Sequence, residues 1–276
     1  MTNVRDELVE LRGLRFHYRD WAPETAGAPN LVLLHGFTGH ARSWDAFARK
    51  MSTRYRVLAL DQRGHGESQW APAGAYGTWE MVADVEAFVR ALALDRFALL
   101  GLSMGGIVAL AYAGRKPGAL DRLVIVDVAP EIAAGGLKRI QSGVVRSDVF
   151  ASREEAFLRA REDNPIPPPD HQRDRVDQSL MRTEDGRWTY RYDRALRDPK
   201  TFRQGIPADE GWRLVANIAV PTLLVRGARS DILSEGVARR MAATIPECTL
   251  VEVPGSGHPV PLDKPDEFLA AVQTFL

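Results

Sequence analysis

Six short runs of the chain are almost continuously apolar: LVLLHG (31–36), YRVLALD (55–61), FALLGLS (97–103), LVIVDVA (123–129), TLLVRGA (222–228) and TLVEVPG (249–255). A strand with one wet face alternates apolar and polar residues. A strand covered on both faces does not, so these runs predict the inner strands of a buried sheet. Between them lies text with a helical period, such as TWEMVADVEAFVRALA (78–93) and GVARRMAATI (236–245). Strands and helices that alternate in this way predict an α/β fold with a mostly parallel sheet covered by helices on both faces. Ahead of them, ELVELRGLRFHYRDW from residue 7 holds two alternating runs hinged at Gly13, the pattern of an antiparallel hairpin at a sheet edge.

The rhythm stops between about 131 and 211. That stretch has no strong strand run; it is rich in charge, contains Pro167, Pro168 and Pro169, and carries aromatic residues in GRWTYRYD. It is too long for an ordinary loop, so it is assigned as a mainly helical lid over the carboxyl edge of the sheet, inserted into a core made of 1–130 and 212–276.

With 276 residues the chain can enclose a large core and a pocket. Its 36 basic and 36 acidic side chains create no net field toward nucleic acid or an anionic membrane, and the expected partner is a small-molecule substrate. The single cysteine, Cys248, rules out an intrachain disulfide framework. The N-terminal MTNVRDELVE has no apolar core of a signal sequence, and no run is long enough to span a membrane; the expected compartment is the cytoplasm. Sequence does not address the oligomeric state.

The most specific chemical signal is Gly101-Leu102-Ser103-Met104-Gly105-Gly106, where an apolar strand run meets a helix-like one. G-x-S-x-G in that context describes a tight turn that exposes a strained serine at a helix N-terminus, the placement of a nucleophile. At the end of LVLLHG, Gly36 and Phe37 lie in HGFTG, and the backbone N–H groups of Phe37 and Met104 are the expected oxyanion donors. Serine needs a base. Of six histidines, His258 in PGSGHPVP follows the last strand run and lies at the same sheet edge; His17, His65 and His171 read as structural or surface groups, and His35 as a loop anchor. Two aspartates can hold the imidazole. Asp231, in RGARSDIL, gives the order Ser, Asp, His and is favoured; Asp127, inside the apolar VIVDVAPE, needs a partner for its buried charge and stays a candidate. DQRGHGES (61–68) reads as a self-bonded turn, and there is no metal-ligand spacing or phosphate-cradling glycine motif, so neither metal nor cofactor is expected. Gly36, Trp188, Tyr190 and Arg146 are the candidate substrate contacts, with Phe150, Phe157 and Tyr192 as further candidates for an apolar lid wall.

The pieces HGFTG, DQRGHGES, GLSMGG, VDVAP, RGARSD and PGSGHPVPLDKP together resemble the α/β-hydrolase superfamily over nearly the whole chain. The resemblance implies an eight-stranded sheet whose second strand is antiparallel, a lid after the sixth strand, a triad of Ser103, Asp231 and His258, and Phe37 and Met104 as the oxyanion pair. VDVAPEI looks like the lid-bearing esterases and the enamine or carbon-carbon hydrolases in which the acid follows the sixth strand, which keeps Asp127 in play. The activity implied is cleavage of an ester, thioester or lactone. The alternatives are carbon-carbon, enamine or amide hydrolysis with the same triad and, from another class, a ligand receptor on this fold.

Overall fold

A computed structural model describes residues 4–23, 25–72, 74–136, 138, 143, 146–198 and 205–276. The opening hairpin is β1 (Val4–Leu11) and β2 (Leu14–Trp21), paired in full register. Its two-residue turn holds Arg12 and Gly13 at φ of 52° and 77°, the left-handed conformation that a two-residue hairpin turn demands. Arg12 is kept there by hydrogen bonds to Glu80 and Asp84.

The six apolar runs become β3 (Asn30–Leu34), β4 (Arg56–Leu60), β5 (Phe97–Leu102), β6 (Leu120–Val126), β10 (Thr222–Gly227) and β11 (Cys248–Val253). They join the hairpin in one eight-stranded sheet of order β1-β2-β4-β3-β5-β6-β10-β11, with β2 antiparallel to both neighbours and every later pairing parallel. The continuous apolar text is explained by two cores. Val32, Leu34, Leu58, Leu60, Leu99 and Ile125 face one of them. Leu31, Leu33, Val57, Ala59, Leu100 and Val124 face the other. The period of two is present in the strands, but both phases are apolar because both faces are buried. Helices α1 (Asp45–Met51), α2 (Thr78–Ala91) and α3 (Met104–Ala113) cover the sheet, with α6 (Ala208–Asn217), α7 (Glu235–Thr244), α8 (Val260–Asp263) and α9 (Pro265–Phe275) from the second half of the chain. Among the described residues no helix is long and apolar enough to cross a membrane.

Between β6 and α6 the chain adds short strands to the helices expected there. Helices α4 (Arg153–Asp163) and α5 (Pro169–Ser179) are present, but β7 (Val149–Phe150), β8 (Leu180–Arg182) and β9 (Trp188–Tyr190) build a second, three-stranded antiparallel sheet. Strands of two or three residues are too short to leave a period in sequence. This segment has its own small core of Phe150, Ala156, Phe157, Val176 and Leu180.

The segment is tied to the loop after β4. Gly66 N–H donates to the Arg191 carbonyl (2.9 Å), Asp193 N–H to that of Gly64 (2.7 Å), and the Tyr76 hydroxyl to Asp193. That loop is organised by the buried Asp61 carboxylate, which accepts from the Ala41 and Glu67 N–H groups and from His17. DQRGHGES is thus the self-bonded turn its composition suggests. At Gly66, φ is 58° and an added Cβ would lie within 2.3 Å of the Asp61 carboxyl. Gly66→Ala therefore collides with the centre of the loop as well as straining the backbone, and should destabilise the fold by roughly 2 kcal/mol or more, read by urea unfolding.

Candidate active site

Ser103 stands where β5 turns into α3, with φ 53° and ψ −115°, outside the region comfortable for a side chain with a Cβ. The turn closes because its neighbours are small. A Cβ at Gly101 would sit 2.2 Å from the Gly105 carbonyl oxygen, and one at Gly105 would sit 2.6 Å from the carbonyl oxygens of Leu34 and His35. Met104 is the first residue of α3, so its N–H belongs to the helix end that lacks intrahelical acceptors.

Serine, histidine and one carboxylate form a continuous chain. His258 Nε2 lies 2.9 Å from Ser103 Oγ, and His258 Nδ1 lies 2.7 Å from Asp127 Oδ2. The acceptor character of the carboxylate puts the ring proton on Nδ1 and leaves the Nε2 lone pair toward the serine. Asp127 is fully buried, and two more donors meet it: the Gly227 N–H at 2.9 Å and the Ser230 hydroxyl. Its own φ of 52° ends β6 and swings the carboxylate toward β10.

The preference for Asp231 over Asp127 is not carried by this geometry. The turn after β10 delivers Ser230, one residue earlier, to Asp127, and it is Asp127 that reaches His258. The close fit of the two loops depends on Gly227, where a Cβ would meet the Gly257 carbonyl oxygen at 2.0 Å. Asp263 then secures the histidine loop by accepting from the Gly257 N–H at 2.7 Å, and it also accepts from Asn164 of the inserted segment at 2.7 Å.

Above the serine lies a cavity of about 620 Å³, walled by Phe37, Thr38, Ser103, Met104 and His258 from the core and by residues of the inserted segment. Of the expected substrate contacts, Tyr190 and Arg146 line it, as do Phe150 and Tyr192. Trp188 and Gly36 are not part of that wall. Trp188 is one strand repeat from Tyr190 and is covered by the guanidinium groups of Arg153 and Arg182. Gly36 abuts Ser103, where a Cβ would come 3.2 Å from Ser103 Cβ. Phe157 likewise packs away from the cavity, under Arg173. Sequence reasoning missed Arg159, Asp148 and Arg197, which also line it. Nothing distinguishes these from other charged residues in the arginine-rich text of the insertion.

Four of the remaining histidines, His17, His35, His40 and His65, are buried and hydrogen-bonded away from Ser103. His35 donates from Nδ1 to the Gly36 carbonyl and accepts the Gln62 N–H at Nε2, which fixes a neutral tautomer. Burial pushes His35 and His40 down to about 3 and His65 to about 4. His17 goes the other way: burial opposes its charge, but Asp61 and Asp6 at its two ring nitrogens outweigh that and raise its pKa. His171 is exposed. Cys248 is half-buried at the start of β11, and burial pushes its thiol up to about 11. Among the described residues no group of three or more His, Cys, Asp or Glu side chains is gathered so as to hold a metal ion.

The sheet, the serine turn and the histidine loop together define a fold of the α/β-hydrolase kind with Ser103 at the turn between β5 and α3. The family description "alpha/beta hydrolase fold" matches residues 29–265, and the chain belongs to that family. It is 29% identical to a 3-hydroxybutyrate-oligomer hydrolase of Cupriavidus necator, over 95% of this chain and 92% of that protein. To a 2-(acetamidomethylene)succinate hydrolase of Mesorhizobium japonicum it is 27% identical, over 92% and 90%. The crystal structure of an α/β hydrolase from Novosphingobium aromaticivorans superposes with a TM-score of 0.89 at 29% identity, covering 100% of this chain and 98% of that one. Relatives named as esterases and hydrolases make the protein a hydrolase of this superfamily.

The three depressed histidines give a pH prediction. Their folded pKa values lie below the ordinary 6.5, so their contribution to stability is complete above 6.5 and is lost as pH falls toward 4. His17, raised, is protonated in both states below 6.5 and does not oppose this; its own contribution is lost only as pH rises through its folded pKa. Unfolding free energy should therefore fall between pH 6.5 and 4.5, each histidine adding up to ~1.4 kcal/mol per pH unit. Urea titrations across that range, with His65→Gln showing a shallower slope, check it.

Proposed function

We propose that the protein is a serine hydrolase that cleaves a small carboxylic ester, thioester or lactone through an acyl-enzyme on Ser103. The observation that carries this reading is the unbroken relay from Asp127 through His258 to Ser103, opening on the cavity. His258 Nε2 takes the hydroxyl proton as Ser103 Oγ attacks the substrate carbonyl, and Asp127 stabilises the imidazolium that forms. The negative charge on the carbonyl oxygen is met by the N–H groups of Phe37 and Met104. His258 returns the proton to the leaving oxygen or sulfur. Water, deprotonated by the same nitrogen, then attacks the acyl-enzyme and frees Ser103.

In this reading residues 131–211 are the lid, and its contribution to the cavity wall selects the substrate. A second reading keeps the same relay but cleaves a carbon-nitrogen or carbon-carbon bond. It is supported by the similarity to a 2-(acetamidomethylene)succinate hydrolase and by the acid that follows the sixth strand.

The test is fluorophosphonate labelling together with turnover of p-nitrophenyl acetate and butyrate. Labelling should vanish in Ser103→Ala, and turnover should collapse in His258→Ala. Asp127→Asn should lower kcat by ~10³- to 10⁴-fold, because the imidazole loses its tautomer and its counter-charge. Asp231→Asn should cost far less. A labelled Ser103→Ala protein rejects the nucleophile, and a larger loss at Asp231 than at Asp127 rejects the acid. Robust labelling with amide or vinylogous substrates cleaved faster than any ester favours the second reading.

A further inference from the structure

Among the described residues the cavity wall carries three arginines, Arg146, Arg159 and Arg197, and two aspartates, Asp148 and Asp163. Two of the arginines are neutralised in place. Arg197 lies 3.1 Å from Asp148 and donates to the Tyr192 hydroxyl at 3.1 Å. Arg146 lies 2.7 Å from Asp163. Asp163 stands one helical turn beyond Arg159 on α4 and would be its natural i,i+4 partner, but it is taken by Arg146.

Arg159 has no carboxylate within ion-pair distance among the described residues. Its polar contact is a single hydrogen bond, from Nη1 to the Ser147 carbonyl at 3.2 Å. The guanidinium also lies over the Phe150 ring, 5.3 Å from its centroid. Phe150 is 1% exposed and is held edge-on by Tyr190 at 5.4 Å, so the surface under the cation is fixed. One N–H of five is engaged on a planar, always-charged fork held on an aromatic wall. This is how a site looks when its anion arrives with the ligand.

We infer that the substrate carries a carboxylate besides the carbonyl that is attacked, and that Arg159 holds it. The inference rests on the serine hydrolase reading for the identity of the attacked group, but the anion site itself does not need turnover to be detected. A carboxylate suits the fork because two parallel N–H donors meet its two oxygens. The reacting carbonyl then sits at Ser103 and the charged end at α4, so the lid discriminates by charge as well as by shape.

Binding is tested in Ser103→Ala, where no hydrolysis occurs, by calorimetry with monomethyl adipate and with its neutral analogue dimethyl adipate. The Ser103→Ala protein should prefer the monoanion, and adding Arg159→Gln should reduce that preference by roughly 10- to 100-fold, the range expected when a charged hydrogen-bonding partner is removed. Arg159→Lys, which keeps the charge and loses the fork, should restore part of it. With Ser103 present, the ratio of kcat/KM for mono-p-nitrophenyl adipate to that for its methyl diester should fall with Arg159→Gln through KM. Exposed Arg239 on α7 serves as the control, and Arg239→Gln should leave the ratio alone. Equal binding of both adipates to Ser103→Ala, or a ratio unchanged by Arg159→Gln, overturns the inference. Binding preference without any ester turnover keeps the anion site and overturns the hydrolase reading instead.

Discussion

The structure turns on one buried carboxylate. Asp127 accepts hydrogen bonds from β10, from the turn that follows it and from the imidazole of a loop 131 residues away. A carboxylate with no exposure and no partner would be a large cost; with three donors it becomes the point that fixes three segments relative to one another. The positive φ at Asp127 and the close approach at Gly227 are the local strain and local smallness that this convergence requires. Remove the carboxylate and the histidine loses both its orientation and the reason for its loop to sit where it does.

Around that point the molecule divides its labour. The eight-stranded sheet, packed on both faces, is a rigid base on which Ser103 and Asp127 directly follow the ends of their strands. The inserted segment has a core of its own, yet it is bound back to the base at Gly64, Gly66, Asp263 and, through the 2.9 Å contact of His40 with Ser179, at the loop after β3. The contacts at Asp263 matter most, because the same carboxylate holds the backbone beside His258. The wall over the serine and the loop carrying the histidine therefore share a support.

Much of this was legible in the chain. The doubly buried strands announced themselves as unbroken apolar runs, the hairpin by alternation about Gly13, and the serine by small residues on both sides of it in a strand-to-helix context. Elimination and its position after the last strand singled out His258, which is the histidine that contacts Ser103. The carboxylate that holds His258 was less legible. Chain order pointed to Asp231, whereas the physical argument that a charge inside VIVDVAPE must be partnered pointed to Asp127, and the second argument names the residue that touches the imidazole. The little sheet of β7, β8 and β9 was invisible because its strands are shorter than the period that would reveal them. Which of many arginines in the insertion face inward was equally hidden, since that depends on packing between segments and not on any local pattern.

Register gives the site a mechanical tolerance. Leu102 pairs with Val126 in the ladder between β5 and β6, and Ser103 and Asp127 are the residues that follow each of them. Ser103 N–H goes on to bond the Val126 carbonyl, and Asp127 N–H the Val225 carbonyl. The spacing of Ser103 and Asp127 is thus set by adjacent strands about 4.8 Å apart, and it can change only if a whole strand slips. Lengthening or shortening the helices, the turn after β10 or the inserted segment leaves that spacing alone. A chain built this way can remodel the chamber above the serine freely while Ser103 and Asp127, two of the three residues in the hydrogen-bonded relay, stay clamped by the sheet.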